Sequence, residues 1–234
     1  MLGRLAGVAL AGLLTVACAG GSGDEGRASL WVTRDRGARV VLLRTVAAGQ
    51  TALQALEREA EVETRYGGRF VQSINGIGGS LAARTDWFWF VNGIEGDRSA
   101  AEYRLHPGDV EWWDLRSWAG RAREPVVVGA FPEPFLHGYD GRRRQAAVRY
   151  ANEALAGGAR AIARVIRADS VASVSTPAPR DAHLFLVVAG RPRLVARPRF
   201  EGFRAGDPVA FTFAGDGRRL ASEPGLLRRR YRWP

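Results

Sequence analysis

The chain holds no lysine, one cysteine, one methionine and three histidines among 234 residues. The lone Cys18 rules out an intramolecular disulfide. Without lysine no phosphate loop of the G-x-x-x-x-G-K type can form, and no G-x-S-x-G elbow is present. The glycine-rich "NGIGGS" at 75–80 follows a strand pattern without opening a helix and lacks dinucleotide spacing. His106, His137 and His183 are far apart, with no cysteine or glutamate at ligand spacing, so a transition-metal site is not expected. Asp109 and Glu111 share a strand face, an arrangement that is usually solvated. The sequence therefore offers no catalytic constellation, and the expected answer is no enzyme.

The net charge is +10, carried by arginine alone. Arginine without lysine beside many alanines and glycines reads as a coding bias. Acidic residues are also interspersed along the chain, so a nucleic-acid partner is not expected. No apolar run is long enough for a comfortable membrane span. An uncharged stretch of thirteen residues, Leu5 to Ala17, follows Arg4 and ends at Cys18, which suits a signal h-region. "TVAC" resembles a bacterial lipobox, with Thr15 where leucine is commoner. That resemblance implies that Cys18 is lipidated, that residues 1–17 are a lipoprotein signal peptide, and that the mature protein is anchored outside the cytoplasm. An ordinary secretory signal with an incidental cysteine is the alternative. Residues 18–27, with "AGGSGDEGR", read as a flexible tether.

Hydrophobic periodicity predicts an α+β fold: a β-grasp-like domain over 28–118, a linker over 119–125, and a second small α+β domain over 126–234. In the first unit a hairpin crosses Arg36-Gly37. A helix capped by Thr51 runs over 51–64, strands follow at "GGRFVQSINGIGGS" and "DWFWFVNGIEG", and "YRLHPGDVEWWDLRSW" holds a turn at Pro107-Gly108-Asp109 and then a final strand. In the second, "VVVGAFP" reads as a buried strand and 142–167 as a helix interrupted at Gly157-Gly158. "AHLFLVVAG", "RPRLVARPRF" and "DPVAFTFAG" read as strands. The terminal "LLRRRYRWP" is either a frayed tail or a patch for an anionic surface.

Five of the seven tryptophans fall between Trp87 and Trp118. Strand alternation puts Trp87, Trp89 and Val91 on one face and Phe88, Phe90 and Asn92 on the other, so that strand is expected to be central and covered on both sides. It also groups Val110, Trp112, Asp114, Arg116 and Trp118 against Glu111, Trp113, Leu115 and Ser117. An acid and a guanidinium between tryptophans make poor dry core, and Arg116 has Trp118 to stack on or Asp114 to pair with. Two readings stay open: this face holds a flat, polar-edged ligand, or it packs against the second domain. The candidate binding residues are Trp87, Trp89, Trp112, Asp114, Arg116 and Trp118.

In this order, "GQTALQAL", "VQSINGI", "DWFWFVNG" and "YRLHPGDVEWW" resemble the C-terminal domain of transcobalamin and intrinsic factor. They are even more similar to its bacterial surface-lipoprotein relatives, a domain family of unknown function. The resemblance covers about residues 30–118. It implies a β-grasp-like domain that covers one side of a cobalamin-like ligand, without the helical barrel that covers the other side in the animal proteins. The expectation is a lipid-anchored extracytoplasmic binding module for a small flat ligand, possible corrinoids among them, with no resident cofactor and a link to an envelope transporter. The alternative is an envelope protein whose tryptophan face docks a partner.

Overall fold

The computed structural model of the chain describes residues 26–233. The expected signal peptide, the lipidation at Cys18 and most of the tether lie outside the described residues.

The first half runs β1 (Arg27–Arg34), β2 (Arg39–Ala47), α1 (Ala52–Glu59), β3 (Val62–Arg65), β4 (Phe70–Ile74), β5 (Ile77–Gly78), β6 (Thr85–Val91), β7 (Ile94–Glu95) and β8 (Val110–Ser117). Five of these strands form one sheet in the order β2-β1-β8-β6-β7, and β3-β4-β5 form a small second sheet. β8 pairs parallel with β1 and antiparallel with β6. The β1–β2 hairpin turns at Asp35, Arg36 and Gly37, all at positive φ. The Asn-Gly signal closes β6 onto β7, with Asn92 at φ 53 and Gly93 at φ 76, the left-handed pair that such a turn requires.

α1 starts where expected. The Thr51 hydroxyl accepts from the Gln54 N–H at 3.1 Å, and the Gln54 side chain accepts from the Thr51 N–H at 3.0 Å, a reciprocal cap. Its buried residues, Ala52, Leu53, Ala55 and Leu56, face the sheet. The helix stops at Glu59, short of the expected Thr64, because Val62–Arg65 pairs with β4 instead.

The second half runs β9 (Ala146–Tyr150), α2 (Ala156–Val165), β10 (Ser170–Ser173), β11 (His183–Val188), β12 (Arg193–Pro198), β13 (Val209–Ala214) and α3 (Gly217–Ser222). Its sheet has the order β10-β9-β11-β13-β12, parallel except for β12. The fold is α+β. Strands β11 to β13 stand where the sequence puts them, but three expectations fail. Residues 146–150 are a strand, not the start of a helix. All five are buried, as in a parallel strand with neighbours on both sides, so no alternation marks them. "VVVGAFP" is buried as expected, but it bends through a 3-10 turn at Val128–Ala130. Gly158 does not break α2. It lets α3 approach, since a Cβ there would lie 3.1 Å from the Gly217 Cα.

Two hydrophobic cores result. One lies between α1, the small sheet and the β1-β8-β6 face carrying Leu30, Val32, Trp87 and Trp113. The other lies in the second half around Phe135, Phe185, Phe211 and Ile162. A third cluster of Phe90, Trp112, Val127 and Tyr231 covers the opposite face of β6 and β8. β6 is therefore aromatic on both faces, as alternation implies, with Trp87 and Phe90 buried but Phe88 and Trp89 only half-buried. It lies next to the sheet edge, however, and β8 takes a central place.

Candidate functional site

The two faces of the β6–β8 pair have different fates. On one face Trp112 is fully buried and Asp114 and Arg116 are nearly so. Tyr231 from the returning C-terminal segment caps them, its ring edge-on to Trp112 and to Phe90 at 5.4 Å each. The Trp112 indole N–H donates to the Thr33 hydroxyl at 2.7 Å, which donates to Asp114 Oδ1 at 2.6 Å. The backbone N–H groups of Arg36 and Gly37 also donate to Asp114, both at 3.0 Å. Burial, opposed by these bonds, raises the Asp114 pKa. Arg116 neither pairs with Asp114 nor stacks on Trp118. It lies 3.5 Å over the Phe88 ring and donates to the carbonyls of Ser117, Arg121 and Ala122. It faces Glu95 at 3.6 Å. The alternation that grouped Trp112, Asp114 and Arg116 is observed, but the face they form is packed shut. Trp118 lies just past β8, half-buried, its backbone N–H donating to the Arg84 carbonyl at 2.9 Å.

On the other face Trp87 and Trp89 border an open cleft of about 370 Å³. Its floor is Trp87, Trp89 and Trp113. One wall is the β3–β4 turn, Gly68 to Val71, and the other the loop Glu95 to Ala100. Trp89 is half-buried, stacked on Trp113 at 6.0 Å and 24° and edge-on to Tyr103 at 5.7 Å. Gly96 lies flat against the Trp89 indole, and a Cβ there would come within 2.2 Å of the ring. The Trp87 indole N–H is spent on the Ile77 carbonyl at 2.8 Å, while its backbone N–H donates to Asp86. Among the described residues the Trp89 N–H has no such bond.

The rim is charged. Asp86 accepts only the N–H of its own neighbour Trp87, and burial raises its pKa. Burial also raises Glu95, against the pull of Arg116 and Arg123. Asp97 behaves oppositely. Burial would raise it, yet hydrogen bonds from Tyr139 and Arg98 leave it below its ordinary value. Arg98 bridges Asp97 at 3.0 Å and Asp140 at 3.5 Å. The cleft thus offers an aromatic plane, an indole donor and one carboxylate with unused lone pairs.

The sequence had not singled out Glu95, Gly96, Asp97 or Arg98. The run "EGDRS" after the Asn-Gly turn was the available signal. Asn92 and Asp109 also prove to be joints. The Asn92 amide donates to Asp109 at 2.7 Å and to the Gly138 carbonyl at 2.9 Å. Asp109 and Glu111 are both buried rather than solvated. Glu133 stands four residues before His137 and bonds it at 2.5 Å, a pairing not expected from the sequence. Among the described residues no group of three metal-ligating side chains occurs, and no helix is long and apolar enough to cross a membrane.

Residues 49–117 match a family described as a domain of unknown function (DUF4430). No curated protein matches the chain. Among solved structures, a candidate metal-binding protein from Ruminococcus gnavus ATCC 29149 is similar at 16% identity and a TM-score of 0.34, covering 40% of this chain and 98% of its own. Haptocorrin in complex with Cbi is similar at 18% identity and a TM-score of 0.31, covering 39% of this chain. The chain spans about a quarter (26%) of haptocorrin's length. At these scores neither likeness bears on function.

Proposed function

We propose that the protein is a lipid-anchored, extracytoplasmic binding module that captures a small flat ligand at the Trp87–Trp89 cleft. It works without chemistry of its own and without a resident cofactor, and it hands the ligand to an envelope transporter. The observation that carries this reading is the half-buried Trp89 ring in the floor of an open concavity flanked by Asp86. Aromatic contact supplies area, and a carboxylate with free lone pairs selects a donor edge such as an amide. The corrinoid class rests on the sequence resemblance over residues 30–118. A cleft of about 370 Å³ is at the small end for ligand sites. A macrocycle would therefore lie across the mouth with one edge inside.

The test is titration of the purified protein with cyanocobalamin, read by tryptophan fluorescence. Saturable quenching is expected, weakened at least about tenfold in Trp89→Phe and Asp86→Ala. Mass spectrometry of material retained by protein from its native envelope identifies the physiological ligand. Quenching that ignores both substitutions refutes the cleft, and the absence of any retained small molecule refutes capture. A docking role is the second reading, favoured by Tyr66, 79% exposed, and Phe70 at the outer rim of the same hairpin. In that case Tyr66→Ser abolishes partner capture while cyanocobalamin has no effect.

A further inference from the structure

The C-terminal segment does not fray into solvent. Tyr231 is buried, and Trp233 stacks on Phe213 at 5.9 Å and 6°. The Arg229 N–H donates to the Gly129 carbonyl at 2.9 Å, and the Arg230 N–H to the Leu227 carbonyl at 3.0 Å. The segment also fits tightly on the β1–β2 turn, where a Cβ on Gly37 would overlap the Arg229 carbonyl. Between that turn and the segment lies a cleft of about 830 Å³, on the far side of the sheet from the tryptophan cleft.

Six arginines line it, namely 36, 121, 228, 229, 230 and 232, against a single carboxylate, Glu124. Glu124 is already saturated. Arg36 holds it at 2.7 Å, Arg121 at 3.2 Å and Arg232 at 3.7 Å. Arg228, Arg229 and Arg230 have no acidic partner among the described residues. Arg229 is half-buried, and its pKa is lowered by burial and by the neighbouring Arg228 charge, as befits a cation without a counter-ion. Arg228 and Arg230 are exposed. Three guanidinium groups on a pinned backbone, Arg229 over the Trp31 ring at 6.0 Å, thus stand beside an apolar wall of Ala38 and Val40 with no carboxylate of their own.

We propose that this cleft binds a phosphate-bearing organic anion, gripped by Arg228 and Arg230 with Arg229 behind them. A dianionic phosphate answers the excess charge better than a lone carboxylate, and planar guanidinium groups meet its oxygens two at a time. The volume exceeds what bare phosphate needs, and the Ala38–Val40 wall suits an organic body. A soluble phosphate ester and a phospholipid headgroup share this chemistry. The inference stands apart from the tryptophan cleft and does not depend on it.

The test uses the full chain, with pyrophosphate and glycerol 3-phosphate as soluble probes in calorimetry and acetate at equal ionic strength as control. A second arm measures binding to phosphatidylcholine vesicles with and without phosphatidylglycerol, and scores only the difference between them, which removes any anchor contribution. Arg228→Ser/Arg230→Ser is compared with Arg191→Ser/Arg193→Ser, a pair of exposed arginines outside the cleft that changes net charge equally. Thermal unfolding without probe should show both double variants folded. Soluble probes that bind, at least about tenfold more weakly in the cleft variant alone, support the proposal with a free phosphate ester. Mixed-vesicle binding with the same dependence, but no soluble binding, supports it with a lipid headgroup. No binding of any probe, or equal weakening in the two double variants, overturns it.

Discussion

Tyr231→Ala removes the lid from the Trp112 face. A tyrosine buries about 150–250 Å², and Tyr231 is only 5% exposed. At about 25 cal/mol per Å² this sets an upper bound of roughly 4–6 kcal/mol. Its two edge-on aromatic partners add to the loss, while partial collapse of the neighbouring side chains reduces it. Large-to-small aromatic changes in cores cost about 3–5 kcal/mol, and that range is expected here. The assay is denaturant unfolding, in which the midpoint should fall at unchanged slope. Acrylamide should then reach Trp112, which is fully buried in the native protein. Tyr231→Phe separates area from polarity. The Tyr231 hydroxyl is buried beside the Asp114 carboxyl but makes no hydrogen bond of ordinary geometry, so its removal should change stability by less than about 1 kcal/mol. If Tyr231→Ala costs under about 1 kcal/mol and leaves quenching unchanged, the tail does not seal this face in solution.

Two further substitutions probe the buried polar groups. Burial holds the Glu111 carboxyl far above its ordinary value, and the Asp109 charge adds to this against a bond from the Trp113 N–H. Because the folded pKa is the higher one, its stability contribution is full below the ordinary value of 4.5 and is lost as pH rises through the folded value. Glu111→Gln should therefore gain on the native protein as pH rises above the ordinary value of 4.5, by up to about 1.36 kcal/mol per pH unit. A difference that stays flat with pH rules this out. Asn92→Ala strips a partner from buried Asp109 and from the Val110 N–H, which donates to Asn92 at 2.8 Å. It also places alanine at φ 53, so roughly 3–5 kcal/mol of destabilisation is expected in chemical unfolding, and a cost below about 1 kcal/mol would refute the joint.

What the sequence made legible was local. The Thr51 cap, the Arg36-Gly37 hairpin, the Asn92-Gly93 turn and the face assignments of β6 and β8 each depend on residues close in the chain. What it hid was set by distant partners. β9 looks helical because its alanines favour helix, but β10 and β11 on either side claim its backbone. α1 ends early because β4 recruits Val62–Arg65. The tail reads as polar because the arginines outnumber Tyr231 and Trp233. Only the fold shows that these two alternate inward onto Trp112 and Phe213.

The same blindness explains the placing of the candidate site. Asp114 beside Arg116 has the composition of a recognition pair, as does Asp86 near Trp89, and sequence gives no means of ranking them. Hydrogen-bond capacity does. Asp114 already accepts from a hydroxyl and two backbone N–H groups, and Arg116 donates to three carbonyls over a phenyl ring. Any ligand would have to replace bonds of equal quality while displacing Tyr231. Asp86 accepts one adjacent N–H at the edge of an open cleft, and Arg228 and Arg230 lack an acidic partner among the described residues. A ligand meeting those groups replaces water instead of protein, and exchanging water for a charge-assisted bond in a formed concavity is the condition under which polar contacts add affinity. The two proposed sites therefore lie where charged groups are least satisfied by their own fold, one at the Trp89 cleft and the other outside the Tyr231 lid on the opposite side of the sheet.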